Sequence, residues 1–304
     1  MSATWAVGTG RVRAPRWFAE VVRRPGGVFG LLVVTLVLLA ALVSFVWTPY
    51  PLLATDTSRG WLAPSVEHVL GTDQIGRDVL SWLLAGSRTT VLVVLAATSL
   101  AAVVGIPLGA LGALAPPRWS EPVVVLVDVL VAFPVLLVAM LLAAPFGGSL
   151  AVVVVAVGCG AGVAVARVTR PEVLRVSQSD IVLAARASGV GAVGRLVQHI
   201  VPNVGPVVIV QLSQAAGASI LAEAGLTFLG YGAPSSTPSW GRSLADAQAY
   251  IGVAPVSVVW PGLAIAVTVL ALTLLGDALR EAGDPRLRRG PVAVGPRSDD
   301  ARQP

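Results

Sequence analysis

The sequence contains no lysine: every one of its 21 basic residues is arginine. A phosphate-binding P-loop needs a lysine directly after its second glycine, so the chain cannot bind and hydrolyse ATP by that route. A Schiff-base mechanism needs a lysine amine and is excluded in the same way. We therefore expect no catalytic residue that depends on lysine chemistry.

Cysteine, histidine and charge are also scarce. The single cysteine, Cys159, excludes an internal disulfide, and with only two histidines we expect no metal site. Charged residues make up 12% of the chain and hydrophobic residues 55%, with a mean hydropathy of +0.82. This composition is typical of a polytopic membrane protein. The basic pI would suit nucleic acid, but the arginines flank apolar runs, so we expect no nucleic-acid partner.

Six apolar runs are long enough to cross a bilayer and predict an all-α membrane protein with six transmembrane helices. The first run is interpreted as a membrane span and not as a signal peptide, because it is long and lacks a small-residue cleavage site. The predicted spans are 28–47, 89–113, 122–142, 150–166, 204–226 and 256–275.

The distribution of arginine predicts which connecting segments face the cytoplasm. Of the 21 arginines, 17 lie in alternate segments, as the positive-inside rule expects when both chain ends are cytoplasmic. These segments are 1–27, 115–121, 167–203 and 276–304. We expect an extracytoplasmic loop at 48–86, a core domain at 87–279 and a partly disordered cytoplasmic tail at 280–304.

The loop at 48–86 contains a motif rich in glycine and aspartate. Thr72 or Asp73 can cap a helix, and Asp73 with Arg77 has the i,i+4 spacing of a helical ion pair. The motif therefore predicts an amphipathic helix at the membrane surface. Its residues are Gly71, Thr72, Asp73, Gly76, Arg77 and Asp78.

The segment 180–203 is a polar stretch between two very apolar ones. Its first part predicts a short helix whose small residues, Ala184 and Ala185, let another backbone approach closely. Gly189 and Gly191 are expected to end this helix, and Pro202 to mark the start of the next. A small-faced helix between two membrane spans indicates a docking element.

Four polar side chains fall within the predicted spans and are candidates for a pore or a subunit contact. They are Asp128, Gln211, Gln214 and Glu223. Asp128 needs either a polar partner or a water-filled lumen. Glu223 is a candidate functional group, with interfacial snorkelling or a structural hydrogen bond as the alternative.

Two of these stretches resemble bacterial ABC-importer permeases. Leu183-Ala184-Ala185, Gly189 and the run His199 to Asn203 resemble the EAA loop, although Leu183 stands where the family often has glutamate. Gly71 to Asp78 is similar to the signature Gly-Thr-Asp-x-x-Gly-Arg-Asp of the dipeptide, oligopeptide and nickel permeases. With further matches at 223–230, 238–241, 261–263, 274–280 and 284–287, the chain resembles the second permease subunit, the DppC or OppC type, more than its partner subunit.

The resemblance implies a multi-pass subunit of the bacterial cell membrane that imports dipeptides or short oligopeptides. It implies a second permease (DppB- or OppB-like), one or two ATPase subunits (DppD- or DppF-like) and an extracytoplasmic binding protein (DppA-like). ATP and Mg would be used by the ATPases, and this chain would hold no cofactor. The implied ATPase-coupling residues are Leu183, Ala184, Ala185, Arg186, Gly189, His199 and Pro202.

Other functions remain open from the sequence. The same type of permease could import nickel or haem. An ion-coupled secondary transporter would show internal repeats with paired broken helices, and we find no convincing repeat. An intramembrane aspartyl protease could use Asp128 and Asp277, but its Gly-x-Gly-Asp motif would need glycine at Leu274.

Overall fold

Helices form nearly all of the regular structure between residues 20 and 283, the range that the computed structural model describes. Besides a helical stretch at 20–22, this range contains ten α-helices, a 3-10 turn at Thr57–Arg59 and a π-helical turn at Leu196–Ile200. The helices are α1 (Pro25–Val46), α2 (Val79–Leu114), α3 (Pro117–Val131), α4 (Val135–Phe146), α5 (Leu150–Ser177), α6 (Asp180–Ala187), α7 (Ala192–Arg195), α8 (Val201–Phe228), α9 (Trp240–Gln248) and α10 (Val256–Gly283). The prediction of an all-α protein is confirmed. The expected disordered tail lies mostly outside the described residues.

Five helical segments are long and apolar enough to cross a membrane as single helices. They correspond to the first, second, fourth, fifth and sixth predicted spans, but several extend further. The second begins at Val79 and not at residue 89, and the fourth runs to Ser177 and not to residue 166. Hydropathy marks only the part of a helix that lies in lipid, so these polar extensions were not predicted.

The third predicted span, 122–142, is wrong as a single helix. It consists of α3 and α4, which meet at an angle of 86°. Pro134 cannot continue a helix because it lacks an N–H group, and it disfavours the helical conformation at Phe133. The chain therefore turns at this Phe-Pro pair and resumes as α4 directly after it.

The start of α8 also differs from the prediction. Helical structure runs from Ala192 to Phe228, so Pro202 lies inside a continuous helical segment. The π-helical turn precedes it, and the amide of Val201 donates to the carbonyl of Leu196, five residues earlier. The π-helical turn is wider than an α-helical turn, so the helix continues although Pro202 has no N–H group to donate.

Antiparallel neighbours give the bundle two distinct ends. One end, called here the α6 end, carries α6, α7 and the C-terminal ends of α2, α5 and α10. The other, the α9 end, carries the loop 47–78 and α9. At the α6 end, Arg24 forms an ion pair with Glu281, joining α1 to α10. Asp277 and Arg280, three residues apart on α10, do not form an ion pair within residues 20–283.

Close packing of α2 on α5 forms the centre of the bundle. A Cβ atom added to Gly105 would lie 2.4 Å from the carbonyl oxygen of Gly162, and one added to Gly109 would lie 2.7 Å from the Cβ of Thr169. Such distances show that the two backbones approach as closely as glycine allows. The two helices therefore form one rigid pair.

We expect Gly105→Ala to destabilise the protein by about 2 kcal/mol, since the new methyl group can be accommodated only by moving a backbone. The measurement is thermal unfolding in detergent, followed by tryptophan fluorescence. Gly205→Ala is the matched control, because a Cβ atom at this helical glycine of α8 meets nothing within 4 Å. Equal stability of the two variants would contradict the packing argument.

Candidate functional site

The first candidate surface is the coupling segment, defined here as residues 180–203. Its helix α6 is held to the bundle by Val182, which is only 6% exposed and packs with Val173, Val176 and Ile200. Leu183 is 50% exposed, and Ala184 and Arg186 are exposed as well. One buried residue thus anchors the helix, and most of its remaining surface is free for contact.

Gly189 ends α6 in the left-handed conformation, with φ +81°. Its amide donates to the carbonyl of Arg186, and the amide of Val190 donates to that of Ala185, which is a Schellman motif. A Cβ atom at Gly189 would meet nothing within 4 Å. Gly191 has φ −62° and precedes α7, so the prediction that it helps end α6 is wrong.

A groove of about 640 Å³ separates α6 from α7 and the π-helical turn. Leu183 and Arg186 line one side, and Val193 and Leu196 line the other. Arg186 has no carboxylate within 4 Å among the described residues. Most of the groove wall is apolar, and its polar part includes Arg195, which donates to the carbonyl of Val190, and Arg186, which no acidic side chain of the described residues pairs.

The remaining predicted coupling residues lie near this groove but not in its wall. His199 is half-buried in the π-helical turn, and its carbonyl accepts a hydrogen bond of 2.6 Å from the Nδ2 atom of Asn203. Pro202 is exposed on the following turn. The coupling segment thus brings Leu183, Arg186 and Gly189 to one exposed surface, with His199 and Pro202 beside its supporting turn.

The second candidate surface is the signature loop, residues 71–78, which is not the predicted amphipathic helix. It is a tight turn closed by a bridge between Thr72 and Asp78. Gly71 and Gly76 have φ +81° and +77°. A Cβ atom on Gly76 would lie 1.9 Å from the carbonyl oxygen of Asp56. Glycine is required at Gly76 by both conformation and space.

Asp73 and Arg77 form the predicted ion pair, but across the turn and not along a helix. The Oδ1 atom of Asp73 accepts hydrogen bonds from the amides of Ile75 and Arg77, and its Oδ2 atom accepts one of 2.6 Å from the Nε atom of Arg77. The guanidinium lies 3.9 Å from the ring centroid of Trp82 and its Nη2 atom is 3.8 Å from Asp246. Arg77 therefore ties the loop to α2 and α9.

Asp78 caps α2 and is buried. Its Oδ2 atom accepts hydrogen bonds from the amide and the hydroxyl of Ser81, at 2.8 and 2.7 Å. Its Oδ1 atom lies 3.0 Å from the Nδ1 atom of His68, whose ring packs against Tyr50. The hydroxyl of Thr72 donates to the carbonyl of Arg59. The polar signature residues thus determine how the chain enters α2.

The exposed carboxylate of Asp56, which lies earlier in the loop 47–78, is stabilised locally. The side chain and then the backbone amide of Ser58 hydrogen-bond to Asp56 and hold its pKa below the ordinary value. Desolvation raises the pKa of Asp56, but by less than the two hydrogen bonds lower it. Asp56 therefore remains ionised at neutral pH.

The polar residues within the spans have different surroundings. Glu223 is 1% exposed, and its Oε1 atom accepts a hydrogen bond of 2.9 Å from Thr227. The amide of Ala233 donates to the same Thr227 hydroxyl, so Glu223 supports the chain after α8. This geometry fits an internal structural role and not interfacial snorkelling, a pore or a subunit contact.

Gln211 and Gln214 lie on α8, half-buried and exposed respectively, where they can face a path or a partner. Asp128 is exposed on α3 and lines a cavity with Arg167 and Arg170.

Sequence reasoning missed three contributors to the signature loop. They are His68, the partner of Asp78; Asp246, the partner of Arg77; and Trp61, which has φ +59° and stacks on Tyr250. Arg77 and Asp246 are far apart in the sequence, and no local pattern links them. The run of aromatic and acidic residues before α2 is the only signal that could have indicated a folded loop.

Comparisons with known proteins identify the family of the chain. Residues 105–289 match the family described as "Binding-protein-dependent transport system inner membrane component". The nickel transport system permease protein NikC of Escherichia coli K12 is 35% identical over 84% of this chain and 93% of its own length. The di/tripeptide transport system permease protein DppC of Pseudomonas aeruginosa is 36% identical over 86% and 89%.

Two further similarities extend the comparison. The glutathione transport system permease protein GsiD of Escherichia coli O6:K15:H31 is 37% identical over 74% of both chains. A solved structure of the MetNI methionine ABC transporter in inward-facing conformations superposes with a TM-score of 0.57 at 16% identity, over 67% of this chain and 96% of that one. This likeness concerns the fold. The chain therefore belongs to the binding-protein-dependent transport system inner membrane components, as a multi-pass permease subunit of an ABC importer in the bacterial inner membrane.

Proposed function

We propose that the chain forms, with a second permease of the DppB or OppB type, a translocation path for dipeptides and short oligopeptides. Relatives named for dipeptides, di/tripeptides and glutathione support a peptide cargo. The amide side chains of Gln211 and Gln214 also support it, because amides donate to and accept from peptide groups. Nickel is the alternative cargo, given the similarity to NikC.

The coupling segment is the proposed contact with the ATPases. The exposed, Schellman-capped α6 beside an apolar groove carries this proposal, because a rigid element with small side chains transmits a push from a partner. The contact would comprise Leu183, Ala184, Ala185, Arg186 and Gly189, with His199 and Pro202 behind it. One or two ATPase subunits of the DppD or DppF type would bind ATP and Mg, while this chain holds no cofactor.

The orientation proposed for the chain follows from its arginines. The α6 end would face the cytoplasm with both termini, since the described arginines Arg24, Arg186 and Arg195 of the arginine-rich segments lie there. The α9 end would then receive a DppA-like binding protein. Exposed apolar side chains on its loops, including Leu53, Val66 and Val253, support a protein contact there.

Reconstitution into proteoliposomes tests this function. The chain, the second permease, the ATPases and the binding protein are reconstituted together, and uptake of radiolabelled dipeptide or of nickel is measured with and without ATP. We expect ATP-dependent accumulation of the dipeptide and none when this chain is omitted. Accumulation of nickel alone would make nickel the cargo, and uphill uptake by the chain without ATPases would refute the assignment.

The protease alternative has no geometric support. Asp128 lies on α3 and Asp277 on α10, and these two fully described helices do not contact each other. Asp277 is exposed and does not line the cavity of Asp128. A pair of catalytic carboxylates would have to share one site.

A further inference from the structure

A cavity of about 230 Å³ lies between α2, α3 and α5 towards the α6 end of the bundle. Asp128 of α3 lines it, and so do Arg167 and Arg170 of α5. Asp128 lies within the third predicted span, where a charged side chain marks a functional site by default, and the two arginines lie where α5 extends beyond the predicted span 150–166. A cavity with both signs of charge in its wall is therefore a candidate binding site.

The opposite charges of this cavity do not pair with each other. Among the described residues, Asp128 has no cationic nitrogen within 4 Å, and Arg167 and Arg170 have no carboxylate oxygen within that distance. A carboxylate and two guanidinium groups thus face the same space with a gap between them. Such a gap suits a ligand that carries both charges.

Two glycines of α2 help to keep the cavity open and position one arginine. Gly109 and Gly112 line the cavity without side chains. A Cβ atom at Gly112 would lie 3.2 Å from the Cδ atom of Arg170, so the arginine lies directly along the helix surface. Its Nε atom donates to the carbonyl of Gly112 at 3.0 Å, which leaves the terminal nitrogens for a ligand.

We propose that this cavity binds a zwitterion, a molecule with an ammonium group and an anionic oxygen group a short distance apart. Asp128 would accept hydrogen bonds from the ammonium, and Arg167 and Arg170 would donate to the carboxylate or phosphate. A simple cation would pair only with Asp128, and a simple anion would pair only with the two arginines. The apolar wall formed by Val124 and Val127 would exclude a strongly hydrated ion.

Two molecules supply this chemistry in a bacterial membrane. One is a dipeptide with free termini, and this case rests on the proposed function. The other is the ethanolamine phosphate headgroup of a phospholipid, which does not depend on the cargo. The size of the cavity suits either, because it is slightly below that of sites for drug-sized ligands.

The peptide case is tested with the full chain in nanodiscs of phosphatidylglycerol, whose headgroup carries no ammonium group. Isothermal titration is performed with alanyl-alanine, its N-acetyl derivative and its C-terminal amide. We expect blocking of either end to weaken binding about tenfold or more, since each removes a charge-assisted contact.

Variants assign each terminus to a side chain. Asp128→Asn should bind alanyl-alanine about tenfold more weakly, with no further loss on N-acetylation. Binding of the peptide to Arg167→Gln should no longer be weakened when the C-terminal carboxylate of the peptide is amidated. Arg175→Gln is the matched control, because this exposed arginine of the same helix pairs with Glu172 and does not line the cavity.

The lipid case is tested by native mass spectrometry after reconstitution with phosphatidylethanolamine and phosphatidylglycerol in equal amounts. Retention of ethanolamine lipid by the wild type and its loss in Asp128→Asn would identify the headgroup as the ligand. If the free and blocked peptides bind alike and neither lipid is selected, the zwitterion site is refuted. Peptide uptake by the complete importer would then still stand, so failure of the site and failure of the function are distinguishable.

Discussion

A Gly189→Arg variant is expected to insert into the membrane normally and to lose uptake almost completely. Within the chain the new side chain has room, because a Cβ atom at this position meets nothing within 4 Å. The left-handed backbone costs about 1–3 kcal/mol, which a folded bundle tolerates. A bulky charge at the end of α6 would, however, prevent close approach of the ATPase.

The expected loss of ATPase affinity is roughly 30-fold or more, as for the centre of a protein interface. It is measured by co-purification of the ATPases and by ATP-dependent uptake in proteoliposomes. Gly189→Asn should retain both activities, because asparagine adopts the left-handed conformation readily.

Gly230→Arg controls for backbone strain in this experiment. Gly230 has φ +86° and ends α8 in the same Schellman motif: its amide donates to the carbonyl of Thr227, and the amide of Tyr231 donates to that of Leu226. A Cβ atom at Gly230 also meets nothing within 4 Å. Because it lies at the α9 end, its substitution should lower stability equally and still leave the ATPases bound. ATPase binding by Gly189→Arg at the wild-type level would remove the coupling segment from the interface.

A Gly76→Ala variant is expected to unfold the signature loop, with a loss of about 3 kcal/mol or more. The alanine would have to adopt φ +77°, and its Cβ atom would lie 1.9 Å from the carbonyl oxygen of Asp56. The clash is with backbone and cannot be relieved by a side-chain rotation. Both penalties therefore add, near the upper range for single substitutions.

The loss is measured as a decrease in thermal stability and as faster limited proteolysis within residues 48–78. Gly147→Ala is the matched control: it has φ +75° in the turn before α5, and a Cβ atom there meets nothing within 4 Å. Gly147→Ala should lose only the stability that the left-handed conformation of alanine costs, because its Cβ atom meets no other atom. If the two variants unfold alike, the close contact with Asp56 does not determine the loop structure.

Hydrophobic runs were sufficient to locate five single-helix spans and the bent pair α3–α4, because the bilayer imposes a minimum apolar length on each helix. They did not predict where helices end. The start of α2 depends on Asp78 accepting hydrogen bonds from Ser81, which hydropathy does not measure. The bend at Pro134 was visible as a Phe-Pro pair, but only packing of Ala139 and Ala143 against neighbouring helices shows that the chain turns there.

The candidate surfaces were located from sequence more accurately than their structures were predicted. The i,i+4 spacing of Asp73 and Arg77 suggested a helix, yet the same spacing is satisfied across a turn that two left-handed glycines permit. Helix α9 was missed because its segment is polar and flanked by Gly, Pro and Ser. Its position depends on Trp240, whose indole donates to the carbonyl of Leu83 in α2.

The length of α2 has a consequence for how the importer works. Its 36 residues span about 54 Å, well beyond a hydrocarbon layer of about 30 Å, so it projects into water. The first turn of α2 is hydrogen-bonded to Asp78 of the signature loop. The second half of α2 packs closely against α5 at Gly105 and Gly109. The last turn of α5 leads into the coupling segment. We therefore expect a tilt of α2 on one side of the membrane to be carried by α5 to the coupling segment on the other side, with any bending of α2 confined to the region of Pro107.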